Sequence, residues 1–389
     1  MAMLRVVFVI GSFQHGGAER HAVSLMNRLA ERGHECHAVA IRPDDPRLID
    51  RLRLRQGGTA RCLDAARYFD WRAMAALAAH LSKIKPSVIV AANPYALMYA
   101  SIALRVSRVN ARLVVTYHSN RLLGVKEWLQ MMVYRLFFWT SDCLVFVCER
   151  QRQYWSRRVV RSRRIEVIYN GVDTDEFAEQ RDPGERRILR GKFGFGDSEY
   201  LIGLPAVLRP EKNPVQLVDA VAALRARGIP ARALLIGDGE MRGAVEARAR
   251  TLGIERDVVI TGLQRDVRPY VAACDAVVLC SLTEAFSMAA IEAMALGRPV
   301  VHSDVGGAAE MIEPGRNGYL FPVGDTDALV EKLAILAGRT DCERMGRAAR
   351  AAAAARFSER KMVDRYERVL LDLGQSDRTM PGERSLHIR

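Results

Sequence analysis

At 389 residues, 49% hydrophobic and 26% charged, the chain is longer than one core usually supports, so two domains are expected. Its formal charge of +13 is uneven: residues 1–175 hold 27 Lys/Arg against 14 Asp/Glu, and the remainder 31 against 31. No apolar run reaches the ~18 residues of a membrane span, and the seven cysteines lack any Cys-x2-Cys pair, which points to reduced thiols and away from disulfides or a zinc site.

Leu4 to Ile10 is a short apolar run with no charged region before it. It reads as a first buried strand and not as a signal peptide, so a cytosolic chain is expected. Gly11-Ser-Phe-Gln-His-Gly16-Gly17 follows and opens a helix from Ala18 to Arg32. Glycines there allow close backbone approach, and a helix start favours phosphate; a plain turn has the same composition. Glu35 to Ile41, Ser87 to Ala91 and Leu113 to Tyr117 read as further strands, the last running into His118. That histidine suits either a packed structural role or a site.

Leu122 to Thr140 carries Trp128, Leu129, Met131, Met132, Val133, Leu136, Phe137, Phe138 and Trp139, with Arg121 just before it and Lys126 and Arg135 within it. It is either a core helix or an interfacial segment that docks on an anionic membrane. Seven arginines follow between Arg150 and Arg164, interleaved with Tyr154 and Trp155. They form a solvated face or a contact for an anionic partner; nucleic acid is not the expected one.

Ile165-Glu-Val-Ile168-Tyr-Asn170-Gly171-Val172-Asp173 is a strand broken by Asn-Gly, and polar residues follow to about Arg187, which sets a domain boundary near 175. The second part repeats the alternation. Strands are expected at Tyr200–Leu204, Ala231–Ile236, Val258–Ile260, Val277–Leu279 and Pro299–His302, and helices at Pro214–Arg227, Met241–Leu252 and Ser287–Leu296. Such alternation builds parallel sheets with right-handed crossovers, giving two doubly wound α/β domains with a ligand cleft between them.

Loops at strand ends carry the chemistry. Arg209-Pro-Glu-Lys212-Asn213 offers two cations that can stabilise a departing pyrophosphate. Gly237-Asp-Gly239 and Gly262 add strand-end glycines. Glu284 and Glu292 form a Glu-x7-Glu pair where a turn enters an apolar helix, followed by Gly297-Arg-Pro299, a strand, and Gly306-Gly307. Two acids at the carboxyl end of a parallel sheet suit a polyhydroxylated ligand. Asp173-Thr-Asp175 has a metal-binding form but lies in the linker, and Gly237 to Gly243 misses the dinucleotide spacing, so neither metal nor NAD is expected. From Arg347 to Leu373 the composition is helical, with a break at Phe357-Ser358 where Ser358 can act as a cap.

Gly16-Gly17-Ala18-Glu19-Arg20, the Asn170-Gly171-Val172-Asp173 linker, Pro210-Glu211-Lys212, Ile236-Gly237-Asp238-Gly239 and the Glu284–Gly307 block, in that order, resemble glycosyltransferase family 4 over roughly residues 4–370. The resemblance implies a GT-B fold: two Rossmann-like domains facing a cleft. Residues 1–175 would take the acceptor and 176–355 the nucleotide sugar, a helix within 356–373 would cross back to the first domain, and 374–389 would form a disordered tail.

The resemblance also implies roles. Glu292 would bind the ribose hydroxyls and Glu284 those of the donor sugar. The main chain of Phe286, Ser287 and Met288 would meet the diphosphate together with Lys212, while Gly16 and Gly17 face the phosphates across the cleft. Gly237 falls among the donor-side glycines, and His118 would lie near the sugar. The family pattern Gly-Arg-Leu-x-Pro-Glu-Lys reads here Ala206-Val207-Leu208-Arg209-Pro-Glu-Lys212. Val207 therefore stands at the usual arginine, Arg209 is the candidate substitute, and a catalytically weak or inactive scaffold that binds a sugar nucleotide or a protein partner is the alternative. The implied reaction moves a sugar from a UDP- or GDP-sugar to a hydroxyl of a glycan or lipid-linked acceptor. It retains the anomeric configuration, uses no cofactor or metal, and serves cell-surface polysaccharide or lipopolysaccharide synthesis. The basic first domain would face an anionic membrane surface from the cytoplasm.

Overall fold

The computed structural model describes residues 3–13, 17–43, 49–55, 57–118, 124–158, 160–178 and 183–375. Gly16, Arg121 and the tail after Gln375 lie outside them.

The first half runs β1 (Arg5–Ile10), α1 (Gly17–Glu31), β2 (Glu35–Ala40), β3 (Ala60–Cys62), α2 (Trp71–Ile84), β4 (Val88–Ala92), α3 (Asn93–Ser107), β5 (Arg112–Tyr117), α4 (Val125–Phe138), β6 (Cys143–Phe146), α5 (Glu149–Ser156) and β7 (Arg164–Val167). Its seven strands are parallel, in the order β3-β2-β1-β4-β5-β6-β7. The inner strands are continuous apolar runs because helices cover both faces of the sheet: Val6 to Ile10 and Val88 to Ala92 are buried throughout. Asp70 starts α2 by accepting from the amides of Arg72 and Ala73, and Lys85 ends it in the left-handed region at φ 52.

The second half runs α6 (Thr174–Ala178), α7 (Pro183–Lys192), β8 (Tyr200–Pro205), α8 (Val215–Ala226), β9 (Ala231–Ile236), α9 (Arg242–Thr251), β10 (Val258–Ile260), α10 (Arg268–Ala273), β11 (Ala276–Leu279), α11 (Met288–Ala295), β12 (Val300–Ser303), α12 (Ala308–Met311), β13 (Gly318–Phe321), α13 (Thr326–Leu336), α14 (Arg339–Arg356) and α15 (Glu359–Gln375). Six parallel strands take the order β10-β9-β8-β11-β12-β13. The chain thus folds into two doubly wound α/β units. In each, strand order reverses beside the first strand, between β1 and β4 and between β8 and β11. Loops that diverge at such a switch point leave a crevice at the strands' carboxyl ends.

The chain crosses between the units twice, side by side. Residues 168–173 lead out of β7, and Phe357-Ser358 leads back to α15; Val172 donates to Phe357 (3.0 Å) and accepts from Glu359 (2.8 Å). Gly171 leaves room for this, since a Cβ there would lie 2.7 Å from Ser358 O. α15 then buries Met362, Val363, Tyr366, Val369 and Leu370 against Leu4, Val6 and Phe8 of the first unit. Arg28 of α1 clasps both crossings, reaching Asp173 and Glu359 at 2.5 Å each. Asp173 also caps α6, accepting from Asp175 and Glu176 at 3.1 Å, so the Asp-x-Asp pattern has a structural task here. Gly374 and Gln375 complete α15 and do not belong to a tail.

The arginine cluster is largely paired internally. Arg150 meets Asp304 at 2.5 Å, Arg152 meets Glu149, Arg163 meets Asp142 at 3.4 Å, and Arg164 meets Glu166 at 2.8 Å. Arg158 lies 3.6 Å over the Tyr154 ring, and Trp155 is core. All seven cysteines are free and six are buried. Among the described residues, no helix is long and apolar enough to cross a membrane.

Candidate functional site

The two switch points face each other across a cleft of about 780 Å³. Gly17, Arg20, Asn93, His118 and the α4 residues Gln130 and Tyr134 line it from the first unit. Val207, Arg209, Lys212 and residues 283–289 line it from the second.

Glu284 lies on the loop between β11 and α11, and the glycine pair after β12 supports that loop. Gly306 has φ 50, and a Cβ there would come within 2.0 Å of Glu284 O; at Gly307 it would lie 2.6 Å from Phe286 Cδ2. The Gly307 amide donates to Ala285 O at 2.8 Å. Phe286 stacks on Tyr169 of the outgoing crossing (5.3 Å, 19°) and meets Phe357 of the return edge-on. Ser287 caps α11 by accepting from the Ala290 amide at 3.3 Å. The helix therefore opens on the cleft with first-turn amides that have no intrahelical acceptor and with the positive end of its dipole.

Lys212 forms an ion pair with Glu284. His302 is fully buried nearby and donates from Nδ1 to Ser303 O at 2.7 Å. Burial drops its imidazole to about 4 although Glu284 pulls the other way, so it is neutral. Arg209 is 60% exposed, 3.8 Å from Glu211. The loop after β8 thus sets one cation against Glu284 and one at the rim, with apolar Val207 ahead of both in sequence. Gly237 is not on the lining. It passes beneath that loop at φ 152, where a Cβ would lie 1.9 Å from Ala206 O.

Glu292 keeps only 13% of its side chain exposed and faces Arg20 of the opposite unit at 3.9 Å. Burial pushes its carboxyl above the ordinary range, with Arg20 pulling it back. Gly17 opens α1 with no heavy atom within 4 Å of where a Cβ would stand.

The His118 amide donates to Oδ1 of Asn93 at 3.1 Å, and Asn93 itself holds φ 73. The His118 ring packs edge-on against His21 at 4.9 Å, and His21 meets Tyr366 of α15 at 5.4 Å. Burial lowers His118 to about 4, and burial together with His118 holds His21 well below the imidazole range. Both rings are neutral, so His118 can offer a hydrogen bond and no charge. Nε2 of each ring and the Tyr366 hydroxyl are shielded from solvent with no partner among the described residues, as is Asn170 Oδ1.

Glu284, Lys212, Arg209, Phe286, Ser287, Met288, Gly17 and His118 therefore share one cleft, with Glu292 one helical turn behind Met288. Arg20 and Asn170 appear in the sequence only as members of motifs, and Asn93, Gln130 and Tyr134 carry no local signal beyond the end of a strand or an apolar helix.

A family model described as Glycosyltransferase Family 4 matches residues 15–176, and one described as Glycosyl transferases group 1 matches residues 185–352. EpsD of Bacillus subtilis (strain 168) is 30% identical over 255 residues, which is 64% of this chain and 65% of that protein. The UDP-Gal:alpha-D-GlcNAc-diphosphoundecaprenol alpha-1,3-galactosyltransferase of Escherichia coli is 24% identical over 214 residues, 54% of each chain. The matches thus span about half to two thirds of these relatives' lengths. The crystal structure of Anabaena HepE in complex with UDP-glucose superposes with a TM-score of 0.82 at 22% identity, covering 95% of this chain and 100% of that one.

Proposed function

The chain belongs to glycosyltransferase family 4 and has the GT-B fold, and from this premise we propose that it transfers a sugar from a UDP- or GDP-sugar to a hydroxyl of a glycan or lipid-linked acceptor. One observation carries the reading: the start of α11, Lys212 and Glu284 converge on a single cleft, with the buried Glu292 and Arg20 meeting across it. Amides and a cation suit the diphosphate, and two carboxylates suit hydroxyl groups. Glu292 takes the ribose, Glu284 the sugar, and His118 lends a neutral hydrogen bond beside it. In this reading the acceptor oxygen bonds to the anomeric carbon as the sugar–phosphate bond breaks, and the leaving phosphate oxygen receives the acceptor proton on the same face. The configuration is retained, and no metal or cofactor takes part. The acceptor named for the Escherichia coli relative supports a lipid-linked acceptor and a role in cell-surface polysaccharide or lipopolysaccharide synthesis.

Val207 favours a second reading, a scaffold that binds sugar nucleotides without transfer. A donor panel separates them: calorimetric binding of UDP- and GDP-sugars, followed by slow release of nucleoside diphosphate. Release that Glu284→Ala abolishes supports the transferase. Binding without release from any donor, with or without candidate acceptors, would replace it with the scaffold.

A further inference from the structure

Helix α4 divides its apolar residues between two jobs. Met131, Tyr134 and Phe138 are buried, and Gln130, Met131 and Tyr134 reach the cleft. Trp128, Leu129, Met132, Val133, Leu136 and Trp139 are each between 43% and 60% exposed. At about 100° per residue these six cover an arc of roughly 140°, nearly opposite the buried one. Isolated exposed apolar residues are ordinary, but six large ones on one arc of one helix are not.

The margin of this arc is basic. Arg135 lies at its edge, and its guanidinium donates to Met132 Sδ at 3.6 Å. Ser101 of α3 meets Thr140 just past α4 at 2.9 Å; Arg105, one turn farther along that face of α3, and Arg108, the left-handed residue that ends the helix, are exposed. None of the three arginines has a carboxylate partner among the described residues. A second copy of the chain joined about a two-fold axis would oppose these arginines to themselves. A bilayer of anionic lipid would neutralise them while accepting the apolar arc, and Trp128 and Trp139, both near the Arg135 edge of the arc, suit the headgroup level.

We propose that the outer arc of α4, with Arg105, Arg108 and Arg135, docks the protein on an anionic lipid surface. Docking there sets the cleft about one helix diameter, ~10 Å, from the bilayer, so a lipid-anchored acceptor can present its hydroxyl without leaving the membrane. The purpose of the docking rests on the lipid-linked acceptor proposed above, whereas the vesicle-binding readout needs neither donor nor acceptor.

The test uses the full chain with phosphatidylcholine vesicles, with and without phosphatidylglycerol. Sedimentation with the anionic vesicles only, weakened by salt, is expected, with a blue shift of Trp emission that brominated lipid quenches. Leu129→Glu/Val133→Glu/Leu136→Glu should lower partitioning by at least about tenfold while leaving UDP-sugar binding and the thermal midpoint unchanged. Arg105→Glu/Arg108→Glu, which keeps the apolar arc, should remove the preference for anionic vesicles. Failure of the wild type to bind, or undiminished binding by the triple variant, overturns the proposal. So does a wild-type dimer in solution that the triple variant converts to monomers. Because UDP-sugar turnover is read separately in solution, loss of docking and loss of the transferase reading are distinguishable.

Discussion

Glu284 and Glu292 are held by different physics. Glu284 pairs with a lysine of its own unit, so its charge is balanced whichever way the opposite unit stands. Glu292 is mostly removed from water, and its cation, Arg20, belongs to the other unit. Under the proposed roles, Glu292→Ala weakens nucleoside diphosphate itself by ten- to a hundredfold, the loss expected of hydrogen bonds worth about 1.5–3 kcal/mol. Glu284→Ala leaves that affinity within about threefold and lowers turnover instead; calorimetry with UDP or GDP beside a turnover assay reads the difference. The histidines predict a pH dependence of stability. His118 and His302 fall from 6.5 to about 4 on folding, so the unfolded chain takes up protons first. Their contribution is complete above about pH 6.5 and is lost as pH falls toward 4, reaching roughly 2 kcal/mol each at pH 5. Urea unfolding between pH 7 and 5 should show this loss, and His302→Asn should remove part of the slope.

The glycines separate support from contact. Gly306 holds the Glu284 loop at a positive φ with no room for a side chain, so Gly306→Ala is expected to destabilise by more than about 1 kcal/mol and to displace Glu284 as well. Gly17 has open space around it; Gly17→Ala should leave the thermal midpoint unchanged or slightly higher while weakening donor binding if phosphate comes close to α1. Midpoints and donor affinities measured on both variants check the contrast. Six-residue strands built mostly of apolar residues, such as β1, β5, β8 and β9, are legible in the sequence because burial on both faces leaves few polar breaks in the run. β3, β6 and β13 are not among the strands read there, and β3 is an edge strand whose Ala-Arg-Cys offers no apolar run to mark it. The donor wall is legible for a similar reason: Glu284, Glu292 and Lys212 lie beside glycines and prolines that punctuate the chain. Arg20, Asn93 and Tyr134 become site residues only when separate loops and helices meet, and α4 reads as core or surface alike until its neighbours are placed.

At the scale of the whole molecule, the second half of the chain finishes the core of the first. α15 supplies five buried apolar side chains to the first sheet, each worth roughly 1.5–3 kcal/mol when fully buried, and Arg28 of α1 and Arg32 just after it pair with Glu359, Asp364 and Glu367. The order of domains along the chain therefore differs from the order of dependence. Residues 1–173 produced alone should expose an apolar face, bind a hydrophobic dye and aggregate. Produced together with residues 174–389 as a separate polypeptide, they should co-purify as a one-to-one complex that regains sugar-nucleotide turnover. Ending the second polypeptide at Phe357 should abolish that recovery. The peptide bonds at the outgoing crossing would then be dispensable, and the gene could be divided there into two cooperating fragments whose reassembly is driven by a single terminal helix.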